Sequence, residues 1–176
     1  MLFEEGALIT IADVDEAGAK SLIESLSIGA EHAPIFVRTQ VNIEKDVESL
    51  INAAVLTWGA VDCLVNNAAT FVYGEVTDIA SADWDRVLSV NVKGYAFTMK
   101  HAIPCMRGRG GGSIVNIASI SSYRAQPSFV PYATTKGAIL ALSRNVALDC
   151  GPYNIRVSLR EWIRNHISSL TLCFVR

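Results

Sequence analysis

Two side chains in this sequence form a unit that could move a proton. Tyr132 and Lys136 lie four positions apart in a stretch whose pattern predicts a helix, so both fall on one face, a turn apart. A phenol ionises near pH 10 and is a poor acid/base at neutral pH. An ammonium one turn away favours the phenolate and makes the phenol more useful. On its own a Tyr-x-x-x-Lys pair is a weak signal. Ser119 strengthens it, because it stands 13 residues upstream, at the carboxyl end of a predicted strand. A hydroxyl there could donate to a carbonyl oxygen as charge develops on it. The same hydroxyl, with Ser121 and Ser122, could instead satisfy loop backbone groups. Asn66-Asn67-Ala68-Ala69 follows another predicted strand, where paired Asn most often make a turn. The small residues after them would let a flat ring approach the backbone.

The elements that must position these groups alternate in period. Short apolar runs predict strands at Ala7–Ala12, Ile35–Val37, Val61–Val65, Ser113–Ala118 and, beginning, Ile155–Val157. Between them, helical spacing predicts helices from Asp15 to Leu26, Ile43 to Trp58, Ala82 to Met106 and Val130 to Cys150. Gly59 and Gly151-Pro152 supply stop signals. Strands alternating with helices imply right-handed crossovers and a doubly wound, mainly parallel α/β sheet with helices on both faces. Such sheets bind ligands at the carboxyl ends of their strands, just after Ala12, Val37, Val65 and Ala118.

Bulk properties narrow the function classes. The 176 residues suit one domain, and their 15 basic and 17 acidic side chains are scattered, with a net charge of −2. No basic stripe suggests nucleic acid. No apolar stretch is long enough to cross a bilayer, and the N-terminus does not resemble a signal peptide. Cys63, Cys105, Cys150 and Cys173 lack Cys-x-x-Cys spacing, and His32, His101 and His166 stand alone, so neither disulfides nor a metal site is expected. A soluble, cytoplasmic protein with reduced thiols is the expectation. The run Gly108, Gly110, Gly111, Gly112 precedes a strand, the wrong context for a phosphate loop. The tryptophans read as core or interface.

Four segments in order, Asn66-Asn67-Ala68-Ala69, Asn91-Val92-Lys93-Gly94, Ser113 to Ser119 and Tyr132-Ala133-Thr134-Thr135-Lys136, resemble the classical short-chain dehydrogenase/reductase family. The resemblance runs from about Leu2 to Val157. It implies a Rossmann-like fold and hydride transfer between NAD(P) and a secondary alcohol or ketone. Tyr132 would be the general acid/base, and Lys136 would bind ribose and lower the Tyr132 pKa. Ser119 would polarise the substrate oxygen, and Asn91 would hold a water linking Lys136 to solvent. Asn66 and Ala68 would line the adenosine side of the cofactor crevice. Asp13 matches the position that reads the adenine ribose, where a carboxylate favours NAD over NADP; it could also be a plain loop residue beside Asp15, a candidate N-cap. Gln40-Val41 stands where the family usually has Asp-Val against adenine. The family also implies a homodimer or tetramer, built on the two long helices.

The sequence departs from the family at both ends. Leu2 to Gly6 looks like the last turn of a helix with Gly6 as its C-cap, without the preceding strand and Thr-Gly-x-x-x-Gly-x-Gly turn that hold the cofactor pyrophosphate. That strand lies mid-sheet in the family, so its loss would expose two edges. Residues 1–157 read as an incomplete Rossmann-like domain and 158–176 as a divergent tail. The tail is expected to pack loosely or as an isolated helix, to supply no site residue and to matter little for stability. The rival to an oxidoreductase is an inactive fragment that only binds full-length subunits. An epimerase or dehydratase shares Tyr-x-x-x-Lys, but the Asn-Asn-Ala-Ala segment argues against it.

Overall fold

The computed structural model of the chain describes residues 5–27, 31–162 and 171–175, with Trp162 and 171–175 described by backbone alone. Apolar, β-branched runs form β1 (Leu8–Asp13), β2 (Ile35–Arg38), β3 (Cys63–Asn66), β4 (Gly112–Ser119), β5 (Ile155–Trp162) and β6 (Thr171–Val175). Between them lie α1 (Glu16–Leu26), α2 (Glu44–Trp58), α3 (Ser81–Leu88), α4 (Gly94–Gly108) and α5 (Val130–Cys150). Local signals fix several boundaries. The Asp15 side chain accepts the Gly18 N–H at 3.0 Å and caps α1. Gly59 ends α2 at φ 82°, in the left-handed region that favours glycine. Gly6 has φ 83°, as a C-cap glycine would, while the helical turn expected at residues 2–4 lies outside the described residues.

The sheet order is β2-β1-β6-β3-β4-β5. The pairs β1/β2, β3/β4 and β4/β5 are parallel, whereas β6 runs antiparallel to both β1 and β3. Side chains alternate across it. One face carries the larger core, in which Leu50, Ile51, Leu64, Tyr95, Met99, Ile114 and Ile139 pack α2, α4 and α5 on the strands. Ile9 and Ile11 point the other way and meet Ala19, Leu22 and Ile23 of α1. Helices therefore cover both faces of a Rossmann-like sheet. No helix among the described residues is long and apolar enough to cross a membrane.

Two expectations are corrected. The single long helix predicted over Ala82–Met106 is broken into α3 and α4 by a π-helical turn at Ser89–Lys93. Helical periodicity cannot register this, because one wider turn leaves the apolar pattern on both sides intact. Nor are the described parts of the tail loose or helical. β5 continues past Val157, pairing with β4 as far as Ser119↔Trp162. β6 occupies the mid-sheet slot between β1 and β3, with registers Ile11↔Leu172 and Leu64↔Cys173. The edges expected to lie open are thus paired, by a strand of opposite direction to the family's.

Candidate active site

β4 delivers Ser119 to the carboxyl edge of the sheet, and α5 crosses that edge with Tyr132 and Lys136 one turn apart. All three are buried, Lys136 to 2 % exposure. The Ser119 hydroxyl stands near enough to that of Tyr132 to influence its ionisation. Lys136 Nζ donates to the Ile117 carbonyl at 2.7 Å and lies 5.6 Å from the Tyr132 ring centroid. Burial is the main influence on the Tyr132 hydroxyl and pushes its pKa up, with the Ser119 hydroxyl working against it. The expectation that Lys136 lowers this pKa is not met in this state, since its ammonium is turned to Ile117. Burial pushes Lys136 itself down to about 8.

Ser119 also serves its own loop. Its Oγ accepts the Ser121 N–H at 3.2 Å, and the Ser121 hydroxyl donates to Gln126 Oε1 at 2.5 Å. The Ser122 hydroxyl donates to the Lys136 carbonyl at 3.0 Å, fastening this loop to α5. The serines thus satisfy backbone groups of their own loop and of α5, as the plainer reading expects.

Asn91 is fully buried in the π turn. Its Oδ1 accepts the Thr70 N–H at 2.8 Å, and its Nδ2 donates to the Thr70 carbonyl at 2.9 Å and to Thr135 Oγ1 at 3.0 Å. Thr135 in turn donates to the Tyr132 carbonyl at 2.7 Å. The side chain thus ties the loop after β3 to the helix that carries Tyr132. With both its N–H donors engaged, the amide acts here as a clamp.

The residues expected to hold adenosine are dispersed. Asp13, partly exposed at the end of β1, accepts the Asp15 N–H on Oδ1 at 2.9 Å. Its register partner across β2 is Arg38, which is exposed. Gln40 is exposed, and its N–H donates to Asp46 Oδ2 at 3.0 Å. Val41 is 7 % exposed and packs on Gly94, where an added Cβ would come within 2.8 Å of Val41 Cγ2. Ala68 is half-buried beyond the strand end. The Asn66 side chain is directed into the interior: its Nδ2 donates to Asn116 Oδ1 at 2.8 Å, and its Oδ1 accepts from Thr98 at 2.7 Å. Asn116 extends the network to Ser143 at 2.8 Å. The glycine run lies at the opposite sheet edge, and its N–H groups donate to the Met106, Arg107 and Asn154 carbonyls.

Sequence reasoning missed Arg38, Thr70, Thr135 and a set of aromatic rings at Phe71, Tyr73 and Phe129. Arg38 was findable, as the residue closing the second strand. Thr70 and Thr135 are joined through Asn91, and Phe71 and Tyr73 meet Tyr132 and Phe129, across tens of residues that no local pattern connects.

A family model described as enoyl-(acyl carrier protein) reductase matches residues 1–159. An uncharacterised oxidoreductase of Thermotoga maritima is 37 % identical over 159 residues, covering 90 % of this chain and 62 % of that protein. Dehydrogenase/reductase SDR family member 4 of Rattus norvegicus is 36 % identical over 177 residues, covering 96 % of this chain and 61 % of its own length. Among solved structures, NAD+-bound xylitol dehydrogenase superposes with a TM-score of 0.82 at 32 % identity, over 86 % of this chain and 58 % of that one. The chain therefore spans about three fifths of the length of these relatives.

Proposed function

From the premise that this chain belongs to the short-chain dehydrogenase/reductase family, we propose that it carries the acid/base half of a nicotinamide-dependent oxidoreductase of secondary alcohols and ketones. The observation that carries the proposal is the burial of Ser119, Tyr132 and Lys136 together at the carboxyl edge of β4, with the Ser119 hydroxyl acting on that of Tyr132. In reduction Tyr132 gives its proton to the substrate oxygen, and Ser119 orients that oxygen and donates to it as it gains charge. Burial keeps the proton on the Tyr132 hydroxyl, where it can be given, but makes that hydroxyl a weaker acid than a free phenol, so the Lys136 ammonium must approach for either direction to run well. The reverse reaction needs the phenolate, which requires the Lys136 ammonium to turn from Ile117 toward Tyr132.

A nicotinamide, when bound, supplies or takes the hydride. The chain's residues fit its two ends better than its middle. Asp13 suits an adenine ribose hydroxyl and favours NAD over NADP, with Arg38 beside it as the side chain that would offset this preference. Gln40 is free to meet adenine, and Lys136 suits the nicotinamide ribose. For the pyrophosphate, the family's glycine turn would follow the carboxyl end of a central parallel strand. Here that slot is taken by β6, whose amino end, Thr171, lies opposite Ala12. Holding the reacting groups in place can supply roughly 7–11 kcal/mol of a barrier. We therefore expect the 176-residue chain to bind the cofactor weakly and turn over slowly.

The test compares NADH binding and ketone reduction in two proteins. One is this chain; the other is extended upstream by a family-like strand and glycine turn, with a family-like segment replacing residues 158–176. Reduction is expected only in the extended protein, and Tyr132→Phe should lower it by about 10²–10⁴-fold. Equal activity in the short chain would overturn the proposed defect, and full activity of the Phe variant would overturn the role of Tyr132.

A further inference from the structure

We infer that the substrate is a flat cyclic ketone or secondary alcohol, received by an aromatic wall of Phe71, Tyr73 and Phe129 beside the Tyr132 hydroxyl. The inference rests on the proposal that Tyr132 is the acid/base and adds what that site accepts.

The rings form a closed set. Phe71 stacks on Tyr132 with centroids 4.6 Å apart and planes 24° off parallel, and Tyr73 stacks on Phe71 at 6.0 Å and 8°. Phe129 meets Tyr73 edge-on at 4.9 Å and Tyr132 edge-on at 6.1 Å. Tyr132 is buried, yet Tyr73 is 59 % and Phe71 38 % exposed. Packing alone would draw such rings out of water. Aromatic surface held open around a buried reactive hydroxyl is instead a surface that awaits a ligand.

The wall is also held rigid. Phe71 follows Thr70, which Asn91 clamps through both its N–H and its carbonyl. The loops carrying Tyr73 and Phe129 are joined by a bridge at Gly74↔Phe129, in which the Gly74 N–H donates to the Ser128 carbonyl at 2.9 Å. Gly74 has φ 156°, a conformation that residues with side chains rarely adopt, so glycine suits the backbone of this bridge. A fixed wall gives a rigid ring its stacking energy with no rotor entropy to lose on either side. A flexible chain must give up several rotors to lie against the same surface.

The probes are 1-tetralone, a fused-ring ketone, and 2-decanone, an open-chain ketone with the same number of carbons and more apolar surface. Equilibrium dialysis against the full 176-residue chain should show tetralone binding about fivefold tighter, within the range an aromatic pair contributes. Phe71→Leu and Tyr73→Leu should each bring the ratio of the two affinities toward one; Tyr73, being largely exposed, can be replaced without risk to folding. A ratio near one in the parent, or one that neither substitution moves, overturns the inference. Tyr132→Phe keeps the ring, so it should retain the tetralone preference while losing reduction in the extended protein. Loss of reduction without any ring preference would leave the acid/base proposal standing and remove the wall. Ring preference with reduction unaffected by Tyr132→Phe would overturn the wall as a substrate subsite along with the acid/base proposal.

Discussion

Taking the Lys136 ammonium out of water, with the Ile117 carbonyl as its acceptor, disfavours its charged form and brings its pKa to about 8. In the unfolded chain the same group keeps its ordinary value near 10.4. Between about pH 8 and 10.4 the unfolded chain therefore holds a proton that the folded chain has released. Stability from this residue rises with pH across that window, by up to about 1.4 kcal/mol per pH unit, and its cost is fully present below pH 8. Urea unfolding of the parent and of Lys136→Met, each measured at pH 8 and 10, should show the parent gaining on the variant as pH rises. A constant difference would mean that the ammonium is not buried as described. The pairing of Tyr132 with Lys136, and the nearness of Ser119, were legible because helical spacing and a strand end are local features. The direction of the pKa changes was not, since it depends on how much water the folded chain removes.

At the scale of elements, the strand ends bring together side chains that a linear reading assigns separately. Asn66 looked like a cofactor-facing residue because of its motif and its place at a strand end. The alternation of β3 instead turns its side chain inward, where it joins Asn116 of β4, Thr98 of α4 and, through Asn116, Ser143 of α5. A buried network of this kind fixes how two strands and two helices meet. Asn66→Ala strips the Asn116 Oδ1 of its donor and should lower stability by about 1–3 kcal/mol. Asn116→Ala should cost a similar amount. Because the two are partners, the double variant should lose clearly less than the sum of the single losses. Additive losses by urea unfolding would show that the two amides do not act together. The same scale explains the π turn: the motif around Asn91 was readable, but the widened turn that aims its amide at Thr70 and Thr135 was not.

For the whole molecule, the sheet has one central slot, and the family and this chain fill it differently. The parallel pairing of β1 with β2, β3 with β4 and β4 with β5 agrees with the alternation of short apolar runs with helices. The placement of β6 did not, because the tail carries no turn signal and its partners lie more than a hundred residues upstream. Its pairing with β1 from Leu8↔Val175 to Ala12↔Thr171, and with β3 from Cys63↔Phe174 to Val65↔Leu172, satisfies two strand edges that would otherwise face each other across a gap. Unpaired edges in mid-sheet leave backbone groups without partners and recruit other chains. Ending the chain after Trp162 should therefore lower stability by several kcal/mol and promote aggregation, detected by urea unfolding and light scattering. A loss under about 1 kcal/mol, the range of changes away from the core, would show that β6 is dispensable. The slot also sets a coupling. An upstream family-like strand added to the shortened chain should restore most of the lost stability, because it enters a vacant position. Added to the intact chain, the same strand meets β6 already in place and should stabilise far less, so the two changes are strongly non-additive. Equal gains in both backgrounds would mean that the strands occupy different positions. Competition would mean that cofactor binding by an extended chain requires β6 to leave the slot, and NADH affinity should then be higher in the extended chain lacking residues 163–176 than in the extended chain that keeps them.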